Sequence, residues 1–277
     1  MGTPNYWVST TGDATAAASW SQAHVPTAGE HAIVDGRSQV SIAINCAAGG
    51  AGPDEFIVTD EYYGDIGGPG NYFNNLATNT DKIIIRGHGN YYLNPTKAGY
   101  TIIDTPEGQT YLGGSWVQAL HVKRGRVSLG ATTSFRSGVS VITYGESAYV
   151  TIPASTASSW PAHFICYGGT IVNKDNGDTT GINLRILVAG GRFRQEGLLY
   201  SGTKVLVTAG VFEYPIATDP SAQSLVLYAP GGIVDFREAE FPIPFTTLHI
   251  GPQAVLYGSA IEELREYTWL DLGQDYP

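Results

Sequence analysis

The stretch LRILVAGGRFRQEG (184–197) decides the fold, because its plan recurs along most of the chain. An alternating apolar strand runs into one or two glycines and then into a second short strand. The same plan is found in DKIIIRGHGNYYL (81–93), VQALHVKRGRVSLG (117–130), VSVITYGESAYVTI (139–152) and HFICYGGTIVNK (163–174). It returns in KVLVTAGVFEY (204–214), LVLYAPGGIVDF (225–236) and TLHIGPQAVLYG (247–258). The hinge glycines Gly125, Gly145, Gly169, Gly191, Gly210, Gly232 and Gly251 follow one another at intervals of 20, 24, 22, 19, 22 and 19 residues. Alternation places Leu120 and Val122 on one face and His121 and Lys123 on the other; Leu184, Ile186 and Val188 likewise oppose Arg185.

A unit of about twenty residues cannot close a core by itself and must bury its apolar face against copies stacked above and below. Helical periodicity and a Leu-Asn repeat consensus are both missing. The expected fold is therefore all-β: a single-stranded right-handed parallel β-helix (solenoid) of roughly 8–10 coils, about 40 to 50 Å long, bending at glycine. The competing reading is an antiparallel sandwich or barrel. It calls for two-residue hairpin turns, of which Asn176-Gly177 and Asp35-Gly36 are the clear cases.

Composition agrees with β-structure. The 277 residues are 14% charged, with 35 glycines, 17 tyrosines and one methionine. A net charge of -10 argues against a nucleic-acid surface, and the small basic cluster Lys123, Arg124 and Arg126 reads as a solvated strand end. No window has the apolar length of a membrane span, and the opening MGTPNYW lacks a secretory pattern, so the expectation is synthesis in a cytoplasm. Cys46 and Cys166 read as buried free thiols.

Three regions are expected. Residues 1–45 form an N-terminal cap segment with a strand near His31 to Asp35, covering an open strand edge; residues 46–260 form the parallel β-helix, with 46–80 an irregular coil. Residues 261–277 form a C-terminal helix or arm that either covers the last coil or docks on a neighbour.

The pattern Trp20-Ser21, Val25-Pro26, Gly29-Glu30 and Ala32-Ile33-Val34-Asp35-Gly36 resembles the Trp-rich opening of β-solenoid proteins of phage virions and bacterial surface repeats. The segments YYGDIGGPGNYF (62–73) and GHGNYYL (87–93) are similar to phage-encoded members, although Glu30 stands where Asp is commoner. The resemblance implies a virion component made in the host cytoplasm, either a capsid decoration protein or a tail-associated module. Its partners would be capsid or tail proteins of the same particle and further copies of itself, with a trimer favoured.

Chemistry is harder to find. Glycan cleavage needs two carboxylates about 5 to 5.5 Å apart for retention or about 6.5 to 9.5 Å for inversion. Candidates are Asp235, Glu238 and Glu240 with Glu213 one coil earlier, or Asp175 and Asp178; solvated loop acids are the simpler explanation for nearly every one of them. The histidines His24, His31, His88, His121, His163 and His249 lack metal-ligand spacing, and there is no GxSxG, no calcium repeat and no phosphate-binding glycine loop. No catalytic residue, cofactor or metal is therefore expected. Aromatic side chains are the better clue, since they supply rigid contact area. The interface candidates are Trp7, Trp20, Tyr62, Tyr63, Tyr72, Phe73, Tyr267, Trp269 and Leu270, with a glycan as the alternative ligand.

Overall fold

In a computed structural model of the chain, residues 2–44, 52–74, 80–95, 98–116, 119–130, 134–135, 140–153, 163–174, 184–199, 202–215, 225–240 and 245–258 are described. The strands are β1 (Thr3–Tyr6), β2 (Glu30–Val34), β3 (Glu55–Val58), β4 (Thr80–Ile85), β5 (Tyr91–Leu93), β6 (Ala98–Leu112), β7 (Ser115–Trp116), β8 (Ala119–Leu129) and β9 (Ser134–Phe135). They continue as β10 (Ser140–Thr143), β11 (Ala148–Ile152), β12 (His163–Cys166), β13 (Thr170–Asn173), β14 (Arg185–Gln195), β15 (Thr203–Glu213), β16 (Leu225–Asp235) and β17 (Phe245–Tyr257). Every pairing between these strands is parallel, which is the arrangement of a β-solenoid and excludes the antiparallel sandwich.

Two ladders run the length of the rod. The first stacks the inward residues Ile83, Thr101, Leu120, Val141, Phe164, Ile186, Val205, Leu227 and Leu248, so the chain makes eight turns between Ile83 and Leu248. The second stacks Tyr91, Thr110, Val127, Val150, Ile171, Phe193, Phe212, Val234 and Leu256. Between the ladders the chain turns a corner, and here the glycines act. Gly210 has φ +79° and its missing Cβ would run into the carbonyl of Gly191 one coil earlier. The core is the space between the ladders, filled by side chains such as Phe164, Phe193 and Phe212, whose rings follow one another at 5.4 and 6.1 Å.

The first ladder also extends toward the N-terminus, through Phe56 and Ala32 to Asn5. Residues 3–34, which lie within the segment 1–45 expected as a cap, thus carry two rungs of the stack. Covering of the end falls to a shorter piece. Trp7 forms an antiparallel bridge with Trp20, the Val8 amide donates to the Ser19 carbonyl, and the Ser21 amide donates to the Tyr6 carbonyl. These bonds occupy the outer edge of β1, which would otherwise offer a template for pairing. Residues 261–277, and with them the expected helix or arm, lie outside the described residues.

Candidate functional site

The inward side of each strand is accounted for by the core, so a site must lie on what the coils turn outward. On the first sheet the outward residues between the inward positions form a ladder of their own: Ile33, Ile57, Ile84, Ile102, His121, Ile142, Ile165, Leu187, Leu206, Tyr228 and His249. Eight of its eleven members are Ile or Leu. Leu206 and Tyr228 are 40% and 38% exposed. At strand spacing the ladder is about 50 Å long. Parallel sheets are ordinarily covered on both faces. Here Ile84 is buried and the other members from Ile33 to Leu187 are half-buried, so the apolar surface in water lies at Leu206 and Tyr228, where an exposed apolar patch marks an interaction surface. A groove of about 490 Å³ lies along it, lined by Ile165, Leu187, Leu206, Tyr228 and Pro230, with Arg185 and Lys204 on its rim.

This ladder was legible in principle. Runs such as KIII (82–85), HFIC (163–166), RILV (185–188) and KVLV (204–207) are apolar on both strand faces, whereas a strand with one face in water alternates.

Within the ladder and beside it, outward aromatic residues stack on one another. His121 lies between Tyr100 at 4.5 Å and Tyr144 at 5.6 Å, and Tyr167 follows at 5.7 Å. His121 Nδ1 is hydrogen-bonded to the Tyr144 hydroxyl at 2.7 Å; burial, with Lys123 nearby, lowers the imidazole pKa. Tyr228 stacks on His249 at 4.8 Å with the rings 4° from parallel. In both groups a histidine is an outward face residue.

The aromatic interface candidates divide. Trp7, Trp20, Tyr62 and Phe73 are corrected to core residues, each no more than 2% exposed. Trp7 and Trp20 meet edge to face at 5.2 Å, and their indole N–H groups donate to the carbonyls of Val40 and Ala14. The Tyr62 hydroxyl donates to the Val40 carbonyl. A large ring with its polar atom satisfied inside the rod has no surface to offer a partner. Tyr63 is 64% exposed and stacks on His88, and Tyr72 is half-buried against Tyr92. Tyr267, Trp269 and Leu270 lie outside the described residues.

A second, charged site occupies the outward side of the second sheet, where a cleft of about 400 Å³ is lined by Arg192, Arg194, Glu213, Asp235, Arg237 and Glu238. Glu213 and Asp235, named above as a candidate carboxylate pair, are register partners. Both are already engaged. Arg192 grips Glu213 through two donors, with Nε to Oε2 at 2.9 Å, and Arg194 adds a third contact at 3.4 Å. Arg194 also reaches Glu238 at 2.8 Å and Glu196 at 3.0 Å. Arg237 forks onto Asp235 and holds its carboxyl below the usual range. A glycosidase acid must instead keep its proton near neutral pH, which takes a raised pKa. Asp175 and Asp178 lie outside the described residues, and Glu240 is exposed in the loop after β16.

Among the described residues no group of three His, Cys, Asp or Glu is arranged to hold a metal ion, and no helix is long and apolar enough to cross a membrane. Cys166 is buried and free beside Thr143; Cys46 lies outside the described residues. Comparison with known protein families, curated proteins and solved structures finds no match to this chain.

Proposed function

We propose that this β-solenoid is a structural protein of a virion, a capsid decoration protein that stabilises the particle without catalysing a reaction. The observation that carries the proposal is the outward apolar ladder from Ile33 to Tyr228, half-buried over most of its length and exposed at Leu206 and Tyr228, which supports protein contact on this flank. A straight ladder parallel to the rod axis suits a homo-oligomer, a trimer favoured, in which parallel rods turn their ladders toward a common axis. The oligomer is then carried on capsid or tail proteins, and the chain, made in the host cytoplasm, leaves with the particle. The virion assignment draws on the sequence resemblance described above.

The alternative, a tail module that binds or cleaves glycans, has less support. A sugar stacks on the face of an aromatic ring, and the faces of His121, Tyr144, Tyr228 and His249 lie against one another. The carboxylates of the charged cleft are occupied by arginines.

The test is sedimentation of the wild type and of a Leu187→Asp/Leu206→Asp variant, alone and with purified particles. The expected result is an oligomer that saturates sites on the particle, and a folded variant that is monomeric and stays in the supernatant. A wild-type monomer that ignores particles while releasing oligosaccharides from a glycan would sink the proposal.

A further inference from the structure

The C-terminal end of the described rod is open. Leu248 and Ile250 on β17 are only half-buried, whereas Leu227 and Ala229, their counterparts one coil earlier, are fully buried. Leu256 differs in the same way from Val234. Strands such as β14, β15 and β16 have a parallel neighbour on each side; β17 pairs only with β16 among the described residues.

The sequence holds a segment that matches this edge. FTTLHIG (245–251) begins the last coil, and YTWLDLG (267–273) lies 22 residues further on. Both read aromatic, Thr, any residue, Leu, any residue, aliphatic, Gly. The offset falls within the hinge-glycine intervals, and Gly273 extends that series. Nine residues, 236–244, connect β16 to β17; nine, 258–266, separate Tyr257 from Tyr267.

We infer that residues 267–273 bind the open edge of β17 in the same molecule as one further parallel rung. Leu270 then covers Leu248, Leu272 covers Ile250, and Gly273 follows Gly251 round the corner. Trp269 stands outside beside Thr247, and Asp271 outside beside His249. The occupant is this chain's own segment rather than a second copy's, because its connection has the length that closes the preceding coil. An edge filled in this way no longer pairs with other molecules, as at the N-terminal end, where residues 19–21 take the edge of β1. Contacts with partners are thereby directed to the flank. The inference stands apart from the virion assignment, since it follows from register alone.

Disulfide trapping in the full chain tests it. In a Cys46→Ser background, Thr247→Cys with Trp269→Cys places two outward residues side by side, within the Cα range of about 4.4 to 6.8 Å that a disulfide needs. Thr247→Cys with Thr268→Cys is the control, because a one-residue slip turns a side chain to the opposite face. The expected result is an intramolecular bond in the first pair and at least tenfold less in the second. A bond between chains, equal trapping in both pairs, or no trapping in either overturns the inference. Hydrogen exchange on the unmodified protein gives an independent reading: amides of 268–272 protected like those of β16 support it, and exchange at the rate of free peptide overturns it.

Discussion

Glu213 and Asp235 occupy consecutive rungs of one ladder, each clamped by a different arginine, Glu213 by Arg192 and Asp235 by Arg237. Glu213 also takes a contact from Arg194, so removing it strands Arg192 while Arg194 keeps Glu196 and Glu238. Glu213→Ala should destabilise the protein by about 1 kcal/mol, a small cost because Arg192 is half in water and screened. Urea unfolding measures it, with Asp235→Ala expected to lose less. An unchanged midpoint combined with loss of a saccharide-releasing activity would reassign the pair to catalysis.

Trp20 does two jobs at the N-terminal end. Its ring fills the first coil against Trp7, and its bridge to Trp7 sets Ser19 and Ser21 on the outer edge of the chain at Val8 and Tyr6. Trp20→Ala should cost about 3–5 kcal/mol through the cavity left behind. It should also loosen residues 19–21 and expose the edge. Thermal melting followed by light scattering is expected to show a lower transition and concentration-dependent association.

Thr101 and Thr110 sit in the two inward ladders, fully buried, and their hydroxyls have no hydrogen-bond partner among the described residues. An unmet buried hydroxyl is a cost that an isosteric methyl removes. Thr101→Val should raise stability by about 1 kcal/mol, read as a higher urea midpoint. A lower midpoint would show that the hydroxyl is satisfied.

The N-terminal coils should be most stable in mildly acidic solution, because of His24 and Glu30, 2.8 Å apart. Burial opposes ionisation of Glu30, but hydrogen bonds from the Thr27 amide and His24 outweigh it and lower the pKa from 4.5. A lowered carboxyl stabilises above its unfolded pKa, and that stability is lost as pH falls through the folded value, below 4.5. The Glu30 hydrogen bond raises the pKa of His24 from 6.5, so its contribution is complete below 6.5 and is lost as pH rises through the folded value above it. The protection of β1 and β2 amides, corrected for the intrinsic pH dependence of exchange, should therefore be highest between about pH 4.5 and 6.5, with its alkaline loss absent in His24→Ala. An alkaline loss that persists in His24→Ala would refute the assignment.

Cys166 should be chemically silent in the folded protein. Burial pushes its thiol pKa up, and Thr143 and Arg192 supply the neighbouring hydroxyl and carbonyl. Alkylation is expected to be at least a hundredfold slower than in denaturant, since the thiolate is the reactive form.

What could be read without coordinates follows from locality. Between residues 81 and 258 the strand, glycine and strand of a coil are neighbours in sequence, so hinge positions and the apolar inward residues of the coils declared themselves. The coils of residues 3–58 were harder to see. Their rung residues Asn5, Ala32, Phe56 and Ile83 are separated by 27, 24 and 27 positions, so long loops interrupt the rhythm.

Sequence alone thus determined the all-β class, the solenoid plan and its hinge series, because each rests on short-range periodicity. Only the tertiary structure decided which surface is free. Whether a residue is buried depends on which coil stacks above it: Tyr62 fills the core while its neighbour Tyr63 stands in water, and Trp7 and Trp20 close an end rather than an interface. Stacking also aligned Ile142, Ile165, Leu187 and Leu206, far apart in sequence, into the apolar ladder on which the proposed role rests.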